Sequence, residues 1–204
     1  MAKDTVNLTD ISLFESQFLF KEMAVLNPNA IAKTQTALQF IHDNNIRGVI
    51  IGGMAVSHYT QDRKLTPDVD FLTADINSVK AALHKNQMAS QPLASAGEFG
   101  GIYVPKLDAD FLDANEGNDA LNHYILKTAK TATIGGVTFP IVDPAVLMIM
   151  KFIIGRDKDQ TDAFKLLPTL NKAELKTHLK ALKGVLPQGM AKTIWDDAQW
   201  AVKV

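Results

Sequence analysis

An α+β domain with a helical C-terminal extension is the fold class this sequence predicts, and three observations carry it. Short β-branched or alternating runs are confined to the stretch between Arg47 and Ile141, where they interleave with helical patterns. Gly135-Gly136, flanked by Thr131–Ile134 and Val137–Ile141, is a two-residue hairpin signal near the end of that stretch. Beyond Asp143-Pro144 every apolar pattern has helical spacing. The boundary is expected near Val142, dividing a core of residues 1–142, N-terminal helices included, from a helical region of residues 143–204.

In chain order, Leu13, Phe14, Phe18 and Leu19 share one helical face, and Asn27-Pro28-Asn29 breaks that pattern. Pro28 suits the first turn of a second helix with Ile31, Ala37, Leu38 and Ile41 inside. Arg47–Ile51 reads as a buried strand that stops at Gly52-Gly53, and Met54–Tyr59 as a short helix. Val69–Leu72 is a second strand, and 75–88 a helix with Ile76, Val79 and Leu83 inward. Residues 100–105 and 107–112 pair around Pro105. Asp143 is placed to cap the next helix, with Pro144 at its first position. Helices then follow over 144–154, 158–167, 171–183 and 188–202.

The 204 residues are 47% hydrophobic and 21% charged, ordinary values that exclude a disordered chain, a collagen and a coiled-coil rod. No cysteine is present, so disulfides, thiolate catalysis and Cys-ligated metals are excluded, and a cytoplasmic setting is expected. No apolar run reaches membrane-spanning length, and none of signal-peptide type follows Met1, so no membrane partner is expected. A net charge of −1 gives no bulk pull toward nucleic acid. The charge is uneven, however: residues 1–150 carry −5 and residues 151–204 carry +4.

The informative chemistry lies in Thr66-Pro67-Asp68-Val69-Asp70-Phe71-Leu72. Side chains alternate along a strand, so Asp68 and Asp70 share a face while Val69 and Phe71 take the other. Paired carboxylates are stable only in water or around a cation, and hard oxygens on a rigid strand suit Mg2+. Leu107-Asp108-Ala109-Asp110-Phe111-Leu112 repeats the alternation. If the two strands are neighbours, Asp68, Asp70, Asp108 and Asp110 form a cluster able to hold two metal ions for phosphoryl transfer. Glycines at Gly52 and Gly53, between strand and helix, let phosphate approach the backbone and the helix N-terminus. A bare turn and a solvated strand edge would explain either motif alone, but not all three in this order.

These motifs resemble the nucleotidyltransferase superfamily with a DNA-polymerase-β-like fold, over residues 45–167. The pattern is a strand ending in Gly52-Gly53, then Asp68-Val69-Asp70, then a later strand bearing Asp108 or Asp110. Lys151, then Gly155-Arg156-Asp157-Lys158-Asp159 and Asp162, resemble a segment of small bacterial members of the abortive-infection toxin type. The resemblance implies a mixed sheet flanked by helices and transfer of NMP from an NTP donor, with two Mg2+ ions, to an acceptor hydroxyl. It implies metal ligation by Asp68 and Asp70 and a third catalytic carboxylate, with Asp110 favoured and Asp108 competing. Gly52 and Gly53 would meet the β- and γ-phosphates, Lys151 would meet the nucleotide, and Asp159 would orient that lysine. Lys64 stands where the family often has Arg and lacks its bidentate fork, and Gly-Gly replaces Gly-Ser. The acceptor is left as RNA, protein or a small molecule such as an antibiotic, with an antitoxin protein as a further partner. The alternative is a catalytically silent nucleotide-binding module.

The remaining candidates read as structural. His58 follows the glycine helix and packs there, or faces the nucleotide base; His42, His84, His123 and His178 lack ligand spacing. Trp195 and Trp200, with Ala198 and Val202, form a packing stripe. The lysines at 172, 176, 180 and 183 fall near one helical face, a solvated face or a contact for an anionic acceptor.

Overall fold

The computed structural model describes residues 28–61, 68–93, 100–134 and 136–200. The first predicted helix, Lys64 and Val202 lie outside them. The described residues hold eight α-helices and seven strands in the order α1 (Pro28–Asp43), β1 (Val49–Ile50), α2 (Gly52–Thr60), β2 (Val69–Thr73), α3 (Ile76–Lys85), β3 (Gln91–Pro92), β4 (Gly101–Val104), β5 (Ala109–Asp113), α4 (Asp119–Thr128), β6 (Lys130–Ile134), β7 (Val137–Ile141), α5 (Pro144–Ile154), α6 (Asp157–Leu166), α7 (Lys172–Ala181) and α8 (Met190–Trp200).

The strands form one mixed sheet in the order β3-β4-β5-β2-β1-β7-β6. β2 pairs with β5 in parallel and with β1 antiparallel, and β1 pairs with β7 in parallel. Strands β2 and β5 both alternate apolar and acidic residues, as Val69-Asp70-Phe71 and Ala109-Asp110-Phe111. Alternation sets their faces: Val69, Phe71, Ala109 and Phe111 are buried, whereas Asp70 and Asp110 are only half-buried. Phe71 and Phe111 meet edge to face at 6.1 Å, and Phe40 of α1 lies 6.2 Å from Phe111. This aromatic layer underlies the strands that carry the acids.

Three details depart from the expected elements. The strand 47–51 contracts to Val49–Ile50, and the helix after it begins at Gly52, so both glycines belong to its first turn. β5 begins at Ala109, which leaves Asp108 in the preceding turn at φ +51 and ends the alternation there. Helix α4 is an element the sequence reading passed over. Its signals were a cap at Asn118, which accepts from the Leu121 amide at 3.2 Å, and Leu121 and Ile125 at helical spacing.

The helical C-terminal region is tied to the sheet at Asp143. Its carboxylate caps α5 by accepting from Ala145 N at 2.9 Å and Val146 N at 3.4 Å, with Pro144 at the first helical position. Asp143 is 1% exposed and also meets His178 Nε2 of α7 and Lys130 Nζ of β6, each at 3.4 Å. His178 Nδ1 in turn lies 2.8 Å from the Tyr124 hydroxyl of α4. Burial pushes the Asp143 carboxyl up, but His178 and the two amides outweigh it and hold it below the usual carboxylate range. Asp143→Ala is therefore expected to cost at least about 2 kcal/mol in urea unfolding, the upper end for a lost N-cap, because His178 loses its partner as well. Asp143→Asn, which keeps a capping oxygen, is expected to cost less.

Candidate active site

The sheet edge of the site starts at Ile51, whose N–H donates to Asp70 O at 2.9 Å and locks the end of β1 against β2. The chain then turns into α2 through Gly52 at φ +64, a backbone conformation that costs a side-chain-bearing residue but not glycine. A Cβ at Gly52 would collide with the carboxylate of Asp70, so glycine is required twice, for conformation and for space. The Gly53 amide donates to that same carboxylate. The glycine pair thus brings the N-terminus of α2 and an acid of β2 into direct contact.

The parallel pairing of β2 with β5 places Asp70 directly beside Asp110. Directly paired residues project from the same face, so both acids share one side of the sheet. Burial first, then the charges of Asp68 and Asp110, push Asp70 up to about 7, against the pull of Lys151 and the Gly53 amide. Burial, then Asp68 and Asp108, push Asp110 up to about 6. The four predicted acids are therefore one electrostatic group, which Asp108 enters through Asp110. Among the described residues no set of three or more His, Cys, Asp or Glu forms a ready-made metal cage.

Asp108 is turned to a different task. Its Oδ1 accepts from the Tyr103 hydroxyl at 2.9 Å and its Oδ2 from Lys33 Nζ at 3.3 Å. Its backbone carbonyl accepts from Val69 N at 3.1 Å, which extends the β2–β5 ladder by one bond. Tyr103 and Lys33 were not singled out in the sequence. A hairpin register drawn for 101–113 would have found Tyr103, which pairs with Asp110.

Lys151 is 6% exposed on α5, and its ammonium lies 2.7 Å from Asp159 Oδ1 and 3.2 Å from Asp162 Oδ2 of α6. Arg156 also bonds Asp159. Burial raises the Asp159 carboxyl, but Arg156 and Lys151 outweigh it and hold it below its ordinary value. Asp159 thus bonds the lysine, and the lysine acts on Asp70 through the electrostatic field. His58 is half-buried against Tyr59, with ring centroids 5.0 Å apart, and burial lowers its pKa. Trp195 is partly buried against the core beside Ala198, as a packing stripe requires.

Two expectations follow. In the metal-free protein, Asp70 and Asp110 ionise less readily folded than unfolded, pushed from the ordinary carboxylate range up to about 7 and about 6. The native state then binds more protons, so these two groups make stability fall as pH rises from about 4 to 7 and level off above that. Asp70→Asn should flatten the fall in urea titrations across that range, and Mg2+ should reduce it. Separately, Lys151→Met is expected to cost about 3–5 kcal/mol, because it takes the buried cation away from Asp159 and Asp162, and Asp159→Asn/Asp162→Asn in the same chain should recover part of the loss.

Comparison with known proteins identifies the family and the fold. Residues 30–185 match the family model described as a nucleotidyl transferase of unknown function (DUF2204). No curated protein matches the chain. Among solved structures, the chain resembles an antigenic nucleotidyltransferase-like protein from Paracoccidioides brasiliensis, with TM-score 0.55 and 19% identity over 85% of this chain and 91% of that one. A weaker likeness, TM-score 0.43 and 11% identity over 85% of this chain and 92% of the other, is to the antibiotic-resistance factor ANT(2'')-Ia. The family model spans well over half of the sequence, and the mixed sheet is the fold of its structural neighbour: the chain belongs to the nucleotidyl transferase family DUF2204, within the nucleotidyltransferase superfamily.

Proposed function

We propose that this protein is a Mg2+-dependent nucleotidyltransferase that moves a nucleoside monophosphate from an NTP to an acceptor hydroxyl and releases pyrophosphate. The observation that carries the proposal is the register that sets Asp110 beside Asp70, one strand away from the glycine corner. Asp68, Asp70 and Asp110 would hold the metal. Their chemistry fits it: hard oxygens on paired strands, with charges that repel one another until a cation joins them. Mg2+ is commonly bound through one or two carboxylates plus substrate phosphates, so a site completed by the triphosphate needs no closed protein cage. Two bound ions would supply charge neutralisation at the triphosphate and the departing pyrophosphate.

The residues do the rest. Asp110, pushed up to about 6, is poised to take the proton of the acceptor hydroxyl near neutral pH. The acceptor oxygen bonds to the α-phosphorus as the bond from that phosphorus to the β-phosphate bridge breaks. The glycine corner admits the β- and γ-phosphates close to the start of α2, and Lys64 supplies a further positive charge. Lys151, bonded to Asp159, would meet the nucleotide, and its charge moderates the repulsion at Asp70. The acceptor is an RNA, a protein or a small molecule. Lys172, Lys176 and Lys180 form an exposed cationic face on α7 that favours an anionic macromolecule, as a cytoplasmic toxin with a cognate antitoxin would use.

Mg2+ with the preferred NTP is expected to raise the melting temperature by mass action, corresponding to about 2.7 kcal/mol at a hundred times Kd. Asp68→Asn or Asp70→Asn should remove the metal-dependent part of that gain and lower transfer of labelled NMP by about 100-fold or more. Undiminished Mg2+-dependent transfer in either variant would sink the assignment. Binding without turnover across RNA, protein and small-molecule acceptors would favour the catalytically silent reading.

A further inference from the structure

We propose that Tyr103, oriented by Asp108 and Lys33, is the residue that positions the acceptor beside Asp110. The inference rests on the transferase reading above and adds to it a specificity-determining side chain outside the three acids.

The argument begins with strand order. From β1 the sheet runs to β2, then β5, then β4. Across it, Asp70 pairs with Asp110, and Asp110 pairs with Tyr103. Directly paired residues share a face, so the three side chains form one row, with Asp110 between an acid on one side and a tyrosine on the other. Neighbouring strands are about 5 Å apart, so the row spans only about 10 Å. Phosphoryl transfer requires the attacking oxygen and the leaving pyrophosphate to lie roughly in line through phosphorus. The glycine corner that receives the leaving group lies at the β1 end of the row. The attacking hydroxyl therefore arrives from the opposite end, where Tyr103 stands half-exposed.

The tyrosine is held for this task. Its hydroxyl donates to Asp108 Oδ1 at 2.9 Å, and Lys33 reaches across from α1 to Asp108 Oδ2 at 3.3 Å. These two bonds give each oxygen of Asp108 a partner, one on β4 and one on α1. They also explain why two acids in one Asp-Ala-Asp run do different work: Asp110 faces Asp70, while Asp108 sets the direction of the phenol. The ring then offers a flat apolar wall next to the proton-accepting carboxylate. A hydroxyl-bearing acceptor with a planar or sugar face packs against such a wall, and water, too small to use it, gains nothing.

The test uses the full chain with each radiolabelled NTP, Mg2+, and total cell RNA or total cell protein as acceptor over a range of concentrations. In Tyr103→Ala the acceptor KM should rise at least about 10-fold, the scale of one lost contact. The melting-temperature gain from Mg2+ and NTP should stay within about 1 °C of wild type. Tyr103→Phe, which keeps the ring and loses the bond to Asp108, should raise the acceptor KM less and retain kcat. An unchanged acceptor KM in Tyr103→Ala overturns the proposal, as does loss of the Mg2+ and NTP gain in Tyr103→Ala and Tyr103→Phe together, which would make the residue structural or part of the donor site. Wild-type protein that binds NTP yet passes label only to water overturns the acceptor wall and leaves nucleotide binding standing. Wild-type protein that gains no thermal stability from any NTP with Mg2+ overturns the wall and the transferase reading at once.

Discussion

Two carboxylates on adjacent parallel strands, Asp70 and Asp110, are the constraint around which the rest of the molecule is organised. Bringing like charges together on a half-buried surface is unfavourable, and the fold holds them there because the opposite face of the same strands is strongly favourable. Phe71 and Phe111 stack edge to face, with Phe40 beside them, and Val69 and Ala109 are fully buried. Period-two alternation makes the two effects inseparable: a register that buries the aromatic layer must also expose the acids to one another. The hydrophobic core thereby sets an electrostatic strain that a divalent cation would relieve.

The surroundings moderate that strain without removing it. The glycine corner lets the amide of Gly53 reach Asp70, and Gly52 leaves the space the carboxylate fills. Lys151 also acts on Asp70, a buried cation paired with Asp159 and Asp162. Buried ions of this kind contribute little net stability as a set, but each is costly to lose alone. The C-terminal helices therefore serve the core directly: α5 brings the lysine, α6 holds it, and Asp143 with His178 secures α7. The basic balance of the C-terminal stretch and the acidic balance of the rest meet, in part, at this point.

The family assignment and the fold of the fungal neighbour agree at a sequence identity of 19%, where fold outlasts side-chain detail. Fold alone does not specify chemistry, which depends on which side chains a sheet presents and in what register. In this chain the row from Asp70 through Asp110 to Tyr103 is that presentation, and the contacts of Asp108 distinguish it from a plain cluster of acids.

Local rules made much of this legible in the sequence. Alternation in Asp68-Val69-Asp70-Phe71 set the faces of β2; Asp143-Pro144 marked the start of α5; and Gly52-Gly53 marked the corner. Each follows from backbone geometry within a few residues. The sequence could not decide which strands are neighbours, because pairing of β2 with β5 depends on packing between segments about forty residues apart. Nor could it divide Asp108 from Asp110: alternation treats them alike until the turn at φ +51 and the partners Tyr103 and Lys33 separate them. Lys151 shows the same limit, since an isolated lysine on an apolar helix has no defined environment until α6 folds back against it with two acids. Short-range sterics and periodicity are written in the chain, whereas the partner of a charge is fixed only when distant segments are brought into contact.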